Sequence, residues 1–532
     1  MDKNSENEIV EAKSVGEVVK DAFRELGETF VAFIKAPRAL WGINIPYVLE
    51  GLVYFGILTI LGKYCSENVG LSDLHAGWVY GGVTGGITFA MLFLGGVVDK
   101  IGVRLSMALS LGIMAFGRIL IALSGTIPMA NGMGSPMFFT MSVGLLFMVA
   151  AYGLYQPGAY AGVKRYTSPK TATMGYAVIY ALMNLGAFVF GPISSYTRAH
   201  FKTIFPPNGL AAVFWVLVGI TIISCLSTLV IITKKVDRDA VERVARETKE
   251  MNENGKSEKT EKDETGAETV SPKIDNRTLY IWLAVSGLGL FVLIASLAKF
   301  INIPPSLGIA AFFLPLFAAG AEFLRHRPDH PFRDAHFVVF IFLLIPVQTL
   351  FAHNWLTIPY YLDRAFAGTW VSSHFEILSN LNPIIIFVIT PIIAGLTARA
   401  NVYRMMILGT FVMAAPTFLL AAGPHTLLFV LYIVIMSVGE AMWQPRFLQW
   451  VAEIAPENKT GAYMGIAQFP WFLTKVITSL YSGYFIAHYV PKPGSGIVPK
   501  SGQMWLIYAL IAMVSPVALW LAKKWMVKGM KR

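Results

Sequence analysis

Long apolar segments recur along almost the whole chain, and they limit the folds open to it. Hydrophobic residues make up 55% of the 532 residues, and charged residues only 14%. Soluble domains contain a larger share of charged residues because their surfaces face water. Each apolar segment is close to the roughly 20 residues that a helix needs to cross a bilayer. The chain is therefore expected to be an all-α membrane protein.

About fourteen crossing segments are predicted, in the order six, two, six. They lie at about residues 43–62, 76–98, 103–124, 137–162, 172–193 and 209–233, then 279–298 and 304–324, then 336–357, 373–396, 402–422, 426–450, 461–488 and 504–526. The corresponding domains are an N-terminal cytoplasmic or interfacial amphipathic segment (1–42), an N-terminal six-helix bundle (43–233), a charged, partly disordered cytoplasmic linker (234–277), an extra transmembrane helix pair (278–325), a C-terminal six-helix bundle (336–526) and a cytoplasmic tail (527–532).

Positive charge alternates between the loops and indicates how the chain is threaded. The net charge is +11, but its arginines and lysines cluster in every second loop, so no nucleic-acid partner is expected. Loops rich in these residues stay in the cytoplasm, which places both termini on the cytoplasmic side of the inner or plasma membrane. Cys65 and Cys225 form neither a metal-ligand cluster nor a disulfide framework. No metal or other cofactor is expected.

A short charged loop joins the second and third predicted spans. Gly95, Asp99, Gly102 and Arg104 have the spacing Gly-x-x-x-Asp-x-x-Gly-x-Arg, and the loop resembles that of major facilitator transporters. The resemblance implies a major facilitator fold, here two six-helix bundles plus two extra helices between them. It implies alternating access to a site between the two halves, with Asp99 and Arg104 at the cytoplasmic gate. A degenerate copy at 395–404 has Arg399 in place of the acid.

Five ionisable residues fall inside predicted spans: Glu50, Arg118, His353, Glu440 and Lys475. Such residues are costly in a bilayer and are functional candidates by default. Glu440 and Lys475 lie at similar depths on consecutive spans, so they are predicted to form an ion pair, either static or opened during transport. Arg118 is interpreted as structural. His353 is either a proton relay or a buried histidine with satisfied hydrogen bonds.

Amide and aromatic residues on the same spans are candidates for a cavity wall, although packing is the alternative for each of them. In lipid-facing positions, tyrosine and tryptophan would collect at the two membrane interfaces. Several of these residues are placed deeper. The predicted solute contacts are Tyr54, Tyr80, Gln156, Asn184, Asn382 and Trp443.

Several stretches resemble the proton-dependent oligopeptide transporters. Asn382-Pro383 resembles that family's helix eight, residues 179–186 resemble its helix five, and Gly439-Glu440 resembles the start of its helix ten. The extra helix pair is also typical of bacterial members. The resemblance implies that Glu50 and Glu440 serve proton coupling. It departs at Gln156, where the family has a lysine that would partner the helix-ten acid, so Lys475 is the expected replacement.

These patterns predict a secondary active transporter that moves a small polar solute, with di- and tripeptides as candidates, by proton-coupled symport. Its partners would be the solute, protons and the bilayer, and it would act as a monomer. The alternative is a non-peptide exporter or uniporter of the same superfamily. A membrane-bound enzyme or a sensor is a more distant alternative, because the sequence has no recognisable catalytic motif.

Overall fold

In a computed structural model, the described residues are 37–167, 169–255, 276–297, 304–328, 330–397, 400–454, 469–496 and 498–529, with isolated positions at 16, 17, 20, 24, 463, 466 and 467. All regular secondary structure among them is helical, which confirms the predicted fold class. By length and apolar composition alone, eight of the described helices could cross a bilayer. The predicted interfacial helix within 1–42 lies almost entirely outside the described residues.

The N-terminal half contains six long helices. They are α1 (Arg38–Lys63, continued by a π-turn at Tyr64–Asn68), α2 (Asp73–Ile101), α3 (Val103–Ser124), α4 (Pro136–Tyr166), α5 (Pro169–Phe201) and α6 (Leu210–Ile231). Ser72 and Ser135 cap α2 and α4 by accepting backbone N–H bonds from His75 and Phe138.

Three helices separate the two halves: α7 (Lys234–Gly255), α8 (Arg277–Leu297) and α9 (Pro305–Arg325). The charged segment 234–277 is predicted to be a partly disordered linker, but its first part forms the regular helix α7. Val236, Ala240 and Val244 recur every four residues, and all three are at least partly buried, so the polar sequence still has one face that packs on the protein. Residues 256–275 of the predicted linker lie outside the described residues.

The helices of the C-terminal half are divided into more and shorter segments than those of the N-terminal half. The C-terminal half contains α10 (Ala335–Leu343), α11 (Ile345–Leu356), α12 (Ile358–Ala365), α13 (Trp370–Ser373), α14 (Phe375–Ser379), α15 (Leu381–Leu396), α16 (Val402–Ala414, continued as a 3₁₀ helix to Ala422), α17 (Thr426–Ile454), α18 (Phe469–Tyr489) and α19 (Ser501–Gly529).

Two predicted spans are interrupted by proline. The span at 336–357 divides into α10 and α11 just before Pro346. The span at 373–396 divides at Asn380, because Pro383 has no N–H with which to continue the helical bonds. The Asn380 side chain bonds the carbonyl of Glu376 across this break, at 2.8 Å.

Each half has its own hydrophobic core, and a smaller cluster lies between them. Leu58 and Tyr80 of the N-terminal half meet Trp355 and Leu356 of the C-terminal half in this third cluster. The interface between the halves is therefore apolar and aromatic at this point. The end of the bundle with Lys100, Arg104 and Lys164 is called the basic end below.

Candidate functional site

Glu50 on α1 is the centre of a buried polar cluster in the N-terminal half. Arg118 on α3 donates to both of its carboxylate oxygens, with Nη1 at 2.9 Å from Oε2. Tyr152 on α4 donates to the same carboxylate, and Thr221 on α6 accepts from Arg118. Four helices thus converge on one neutralised ion pair, which avoids the large cost of an uncompensated buried charge.

Glu440 on α17 is buried in the C-terminal half and has a different environment. Asn382 on α15 donates to its Oε2 at 2.9 Å, and the same amide donates to Ser437 at 2.9 Å. Within the described residues no cation lies within ion-pair distance of this carboxylate. The two buried acids therefore differ in kind: one is paired with an arginine, and the other is held by an amide.

The predicted ion pair between Glu440 and Lys475 is not formed in this structure. Lys475 is half-buried on α18, and neither residue forms an ion pair with the described part of the chain. Phe472 and Ser479, three and four residues from Lys475 and therefore on its side of α18, lie against glycines of α2. Depth along the helix was a poor guide because it leaves the direction of the side chain open.

A series of aromatic rings connects the surroundings of the two acids. It crosses between the halves where Phe55 stacks on Trp355, with ring centroids 5.0 Å apart. The neighbouring centroid distances are 5.2 Å for Tyr54–Tyr152, 5.1 Å for Tyr54–Phe55, 4.7 Å for Phe351–Trp355, 5.1 Å for Phe351–Trp471 and 6.4 Å for Trp443–Trp471. Tyr152 thereby connects Glu50 to rings that reach α17, the helix of Glu440.

A narrow crevice opens beside Glu50. It is lined by Tyr47, Glu50, Gly51, Tyr54, Tyr152, Tyr155, Gln156 and Met183, and its free volume is about 10 Å³. Two of the predicted solute contacts, Tyr54 and Gln156, lie in its wall. A volume of this size suits about one water molecule, so the crevice must widen before it can admit a solute.

The other predicted solute contacts are dispersed. Tyr80 is buried in the cluster between the halves, and Asn382 holds Glu440. Trp443 is fully buried and donates to the sulfur of Met413 at 3.1 Å. Asn184 is half-buried on α5. The structure therefore brings together Tyr54 and Gln156, but it does not bring all six around one cavity.

His353 has a partner at each ring nitrogen. Its Nδ1 lies 2.7 Å from Thr357 Oγ1, and its Nε2 lies 3.1 Å from the Tyr481 hydroxyl. The ring stacks on Tyr508 at 3.9 Å. These contacts match a satisfied buried histidine, and no described carboxylate lies within ion-pair distance.

At the basic end, Gly102 separates α2 from α3 with φ of 79°, a conformation that favours glycine. The Arg104 Nε atom donates to the carbonyl of Ile232 at 2.6 Å, just after α6 ends. Arg104 thus ties two helices of the same half together. The side chain of Asp99 lies outside the described part of the structure, and the gating role of both residues stays a prediction.

Three ion pairs join the two halves at the opposite end. Their partners are Lys63 and Asp363, Asp73 and Arg364, and Arg198 and Glu376. None of these three pairs was predicted from the sequence. The sequence offers one signal for them, because Arg198 and Arg364 lie on the side of the predicted membrane where the connecting segments otherwise carry few positive charges.

Glycines let the helices approach closely at this end. A Cβ atom on Gly81 of α2 would lie 2.0 Å from the Ser479 hydroxyl on α18, and one on Gly191 of α5 would lie 2.8 Å from the Ile377 backbone. Among the described residues, no ion pair joins the halves at the basic end. The structure is therefore closed at the end opposite to the basic one.

The chain is similar in sequence and in fold to known membrane transporters. A sequence model of the Major Facilitator Superfamily matches residues 45–352. No curated protein sequence matches the chain. The fold resembles a crystal structure of peptide transporter POT in complex with sulfate, with a TM-score of 0.59 and 15% identity over 93% of this chain and 96% of that one.

Two further structures are similar. Tetrameric PepTSo2 gives a TM-score of 0.55 and 17% identity, over 92% of this chain and 97% of that one. A bacterial homologue of the human drug peptide transporters PepT1 and PepT2 gives a TM-score of 0.59 and 16% sequence identity. The match covers 92% of this chain and 99% of that one. At these identities the likeness establishes the shared fold.

Proposed function

The chain belongs to the Major Facilitator Superfamily, and from this premise we propose that it is a secondary active transporter for a small polar solute. Di- and tripeptides are the first candidates, and protons are the coupling ion. The solute would cross the inner membrane by alternating access between the two halves, and one chain would suffice for transport.

The observation that carries this proposal is the asymmetric contact between the halves. Ion pairs and glycine contacts join them at one end, whereas none of the described ion pairs joins them at the basic end. Alternating access needs an interface that can be closed at one end while the other opens. Loop charge supports assigning the basic end to the cytoplasm, so this conformation is closed toward the outside.

Glu440 is the better candidate for the proton carrier. A buried carboxylate without a cation is costly to keep charged, so proton binding there removes a charge without breaking an ion pair. Protonation of Glu50 would instead leave the buried Arg118 guanidinium without its counter-ion. We therefore assign the coupling role to Glu440 first, Glu50 second and His353 third.

The solute path would follow the aromatic rings between Glu50 and Glu440. Tyr54 and Gln156 line the crevice, while Tyr80, Asn184, Asn382 and Trp443 would become contacts as the halves move. Peptides are the first candidates because the similar structures are described as peptide transporters. Lys475 would reach Glu440 only in another conformation.

The test is uptake into liposomes that contain the purified protein, driven by an inward proton gradient. A labelled dipeptide should accumulate, and unlabelled di- and tripeptides should compete. Collapse of the gradient with a protonophore should abolish accumulation. Uptake that persists without any gradient would contradict coupled symport.

A second candidate function is a non-peptide exporter or uniporter of the same superfamily. It is favoured by one observation: Glu440 is held by Asn382 and has no lysine partner among the described residues, unlike the pair expected from the peptide-transporter resemblance. Counterflow distinguishes the two functions, because failure of every peptide to compete would favour the second.

A further inference from the structure

An open groove runs between α16 and α19 on the outer surface of the C-terminal half. Its volume is about 350 Å³, and its wall consists of Arg404, Ile407, Leu408, Phe411, Met513, Pro516, Val517, Trp520 and Lys523. The spacing of these residues places one stripe on each helix, since positions three, four and seven apart share a helix face. The groove has no part in the solute path described above.

The two ends of the groove differ in chemistry. Arg404 and Lys523 lie at its basic end, near the start of α16 and the last turns of α19. None of the described residues that line the groove is acidic. Among the described residues, neither cation forms an ion pair with a carboxylate.

The rest of the groove is apolar and open. Leu408, Phe411 and Val517 are each about half exposed, at 49%, 47% and 48%, and Trp520 is 64% exposed. Tryptophan is enriched where a membrane protein meets the headgroup layer. The apolar wall extends about 10 Å from Arg404 to Phe411 and about 15 Å from Lys523 to Met513, at 1.5 Å per residue. It therefore reaches from headgroup level well into the hydrocarbon.

We propose that this groove binds an anionic phospholipid from the leaflet at the basic end of the protein. Arg404 and Lys523 would contact the headgroup phosphate, and one acyl chain would lie along Leu408, Phe411 and Val517. Two cations that have no carboxylate partner among the described residues, at one end of an apolar channel, have the charge and shape that such a lipid complements. A soluble phosphate ester would match the cations but leave the apolar wall uncovered.

The test is thermal unfolding of the full-length protein in detergent with three probes. These are palmitoyl-oleoyl phosphatidylglycerol, phosphatidylcholine with the same chains, and glycerol phosphate. A ligand that binds only the folded protein raises Tm. Phosphatidylglycerol should raise Tm by at least about 3 °C in saturating amounts, and the other two probes should raise it by less than a third of that.

The key variant is the double substitution R404Q/K523Q, which should lose at least two-thirds of the phosphatidylglycerol shift. R404K/K523R keeps both charges and should retain the shift. The matched control K100Q/K164Q removes two exposed cations at the same end of the other half and should also retain it. If R404Q/K523Q fails to fold, L408W fills the groove and should lower the number of lipids counted by native mass spectrometry.

Three results would overturn the proposal. One is a full phosphatidylglycerol shift in R404Q/K523Q or unchanged lipid occupancy in L408W. The second is an equal shift with phosphatidylcholine, which would mean non-specific solvation by lipid. The third is an equal shift with glycerol phosphate, which would mean a phosphate site without a lipid.

Discussion

Arg364 on α12 binds Asp73 at the start of α2 through two hydrogen bonds, of 2.7 and 2.9 Å, and so joins the two halves of the molecule. The pair is buried, and Arg364 also donates to the carbonyl of Val490 at 3.1 Å. Because neither charge is solvated in this state, the pair has to break and become hydrated before the outer end can open.

R364Q should shift the protein toward a conformation that is open at the outer end. Removal of one partner leaves the other charge buried, at a cost of about 3–5 kcal/mol, and only the closed state bears this cost. Spin labels at Ile204 and Trp370, exposed positions of the two halves, should move apart. The charge exchange D73R/R364D should partly restore the short distance. An unchanged distance distribution in R364Q would contradict this role.

G81A, like R364Q, should shift the protein toward a conformation that is open at the outer end, but by disturbing the packing between α2 and α18. The added Cβ meets the Ser479 side chain at 2.0 Å, whereas a Cβ on the adjacent Gly82 meets nothing within 4 Å. Overpacking costs about 1–3 kcal/mol, so G81A should open the outer end and slow uptake. G82A should be neutral, or slightly stabilising because alanine favours helix.

The same spin labels measure this effect. S479G should relieve the contact in the G81A background, and failure of that rescue would mean that the close approach does not control closure.

E440Q should abolish uptake driven by a proton gradient and leave counterflow exchange largely intact. The substitution mimics a permanently protonated acid and retains a partner for Asn382. D239N is the control, because it removes an exposed carboxylate that lies outside this buried cluster, and it should retain gradient-driven uptake. If E440Q retains gradient-driven uptake, Glu440 is not the proton carrier.

E50Q should destabilise the protein much more than E440Q does. It leaves Arg118 buried without a counter-ion, and breaking a buried pair costs about 3–5 kcal/mol. Glu440 has only amide and hydroxyl neighbours in its cluster, so its loss strands no charge. Thermal unfolding in detergent gives the comparison, and equal Tm values for the two variants would show that the Glu50–Arg118 pair does not stabilise the fold.

Lowering the pH should weaken the contact that holds helix α7 against the end of α4, where Asp237 meets Arg165 and Tyr166. Burial raises the pKa of Asp237, but hydrogen bonds from Arg165 and Tyr166 outweigh it and hold this pKa below its ordinary value. The contact therefore stabilises docking above the unfolded pKa of about 3.9 and is lost as the pH falls through the lower folded value. Since both partners are partly exposed, the effect is at most about 1 kcal/mol.

Hydrogen exchange in α7 reports this contact. At neutral pH D237N should exchange faster than the wild type, and the difference should vanish in acid. D239N, which alters an exposed neighbour, should match the wild type throughout. A D237N difference that is independent of pH would exclude an ionic origin.

The apolar segments and their lengths were enough to predict an all-helical membrane fold, because crossing a bilayer constrains each segment separately. The charged loop at Asp99 and Arg104 and the stretches around Asn382 and Glu440 indicated the superfamily. Glu50, Arg118 and Glu440 could be selected as candidates because charge inside a span is costly wherever its partners are. These are properties of one segment at a time.

Partner choice was decided only by the tertiary structure. Arg118 is 68 residues from Glu50, and Arg364 is 291 residues from Asp73. In helices that are apolar all round, no stripe distinguishes the face toward lipid from the face toward a neighbour. Rotation about the helix axis is then fixed by packing between helices, as at Gly81 and Ser479. Lys475 illustrates this: its position along the span suggested a depth similar to that of Glu440, but Phe472 and Ser479, on the same side of α18, lie against α2.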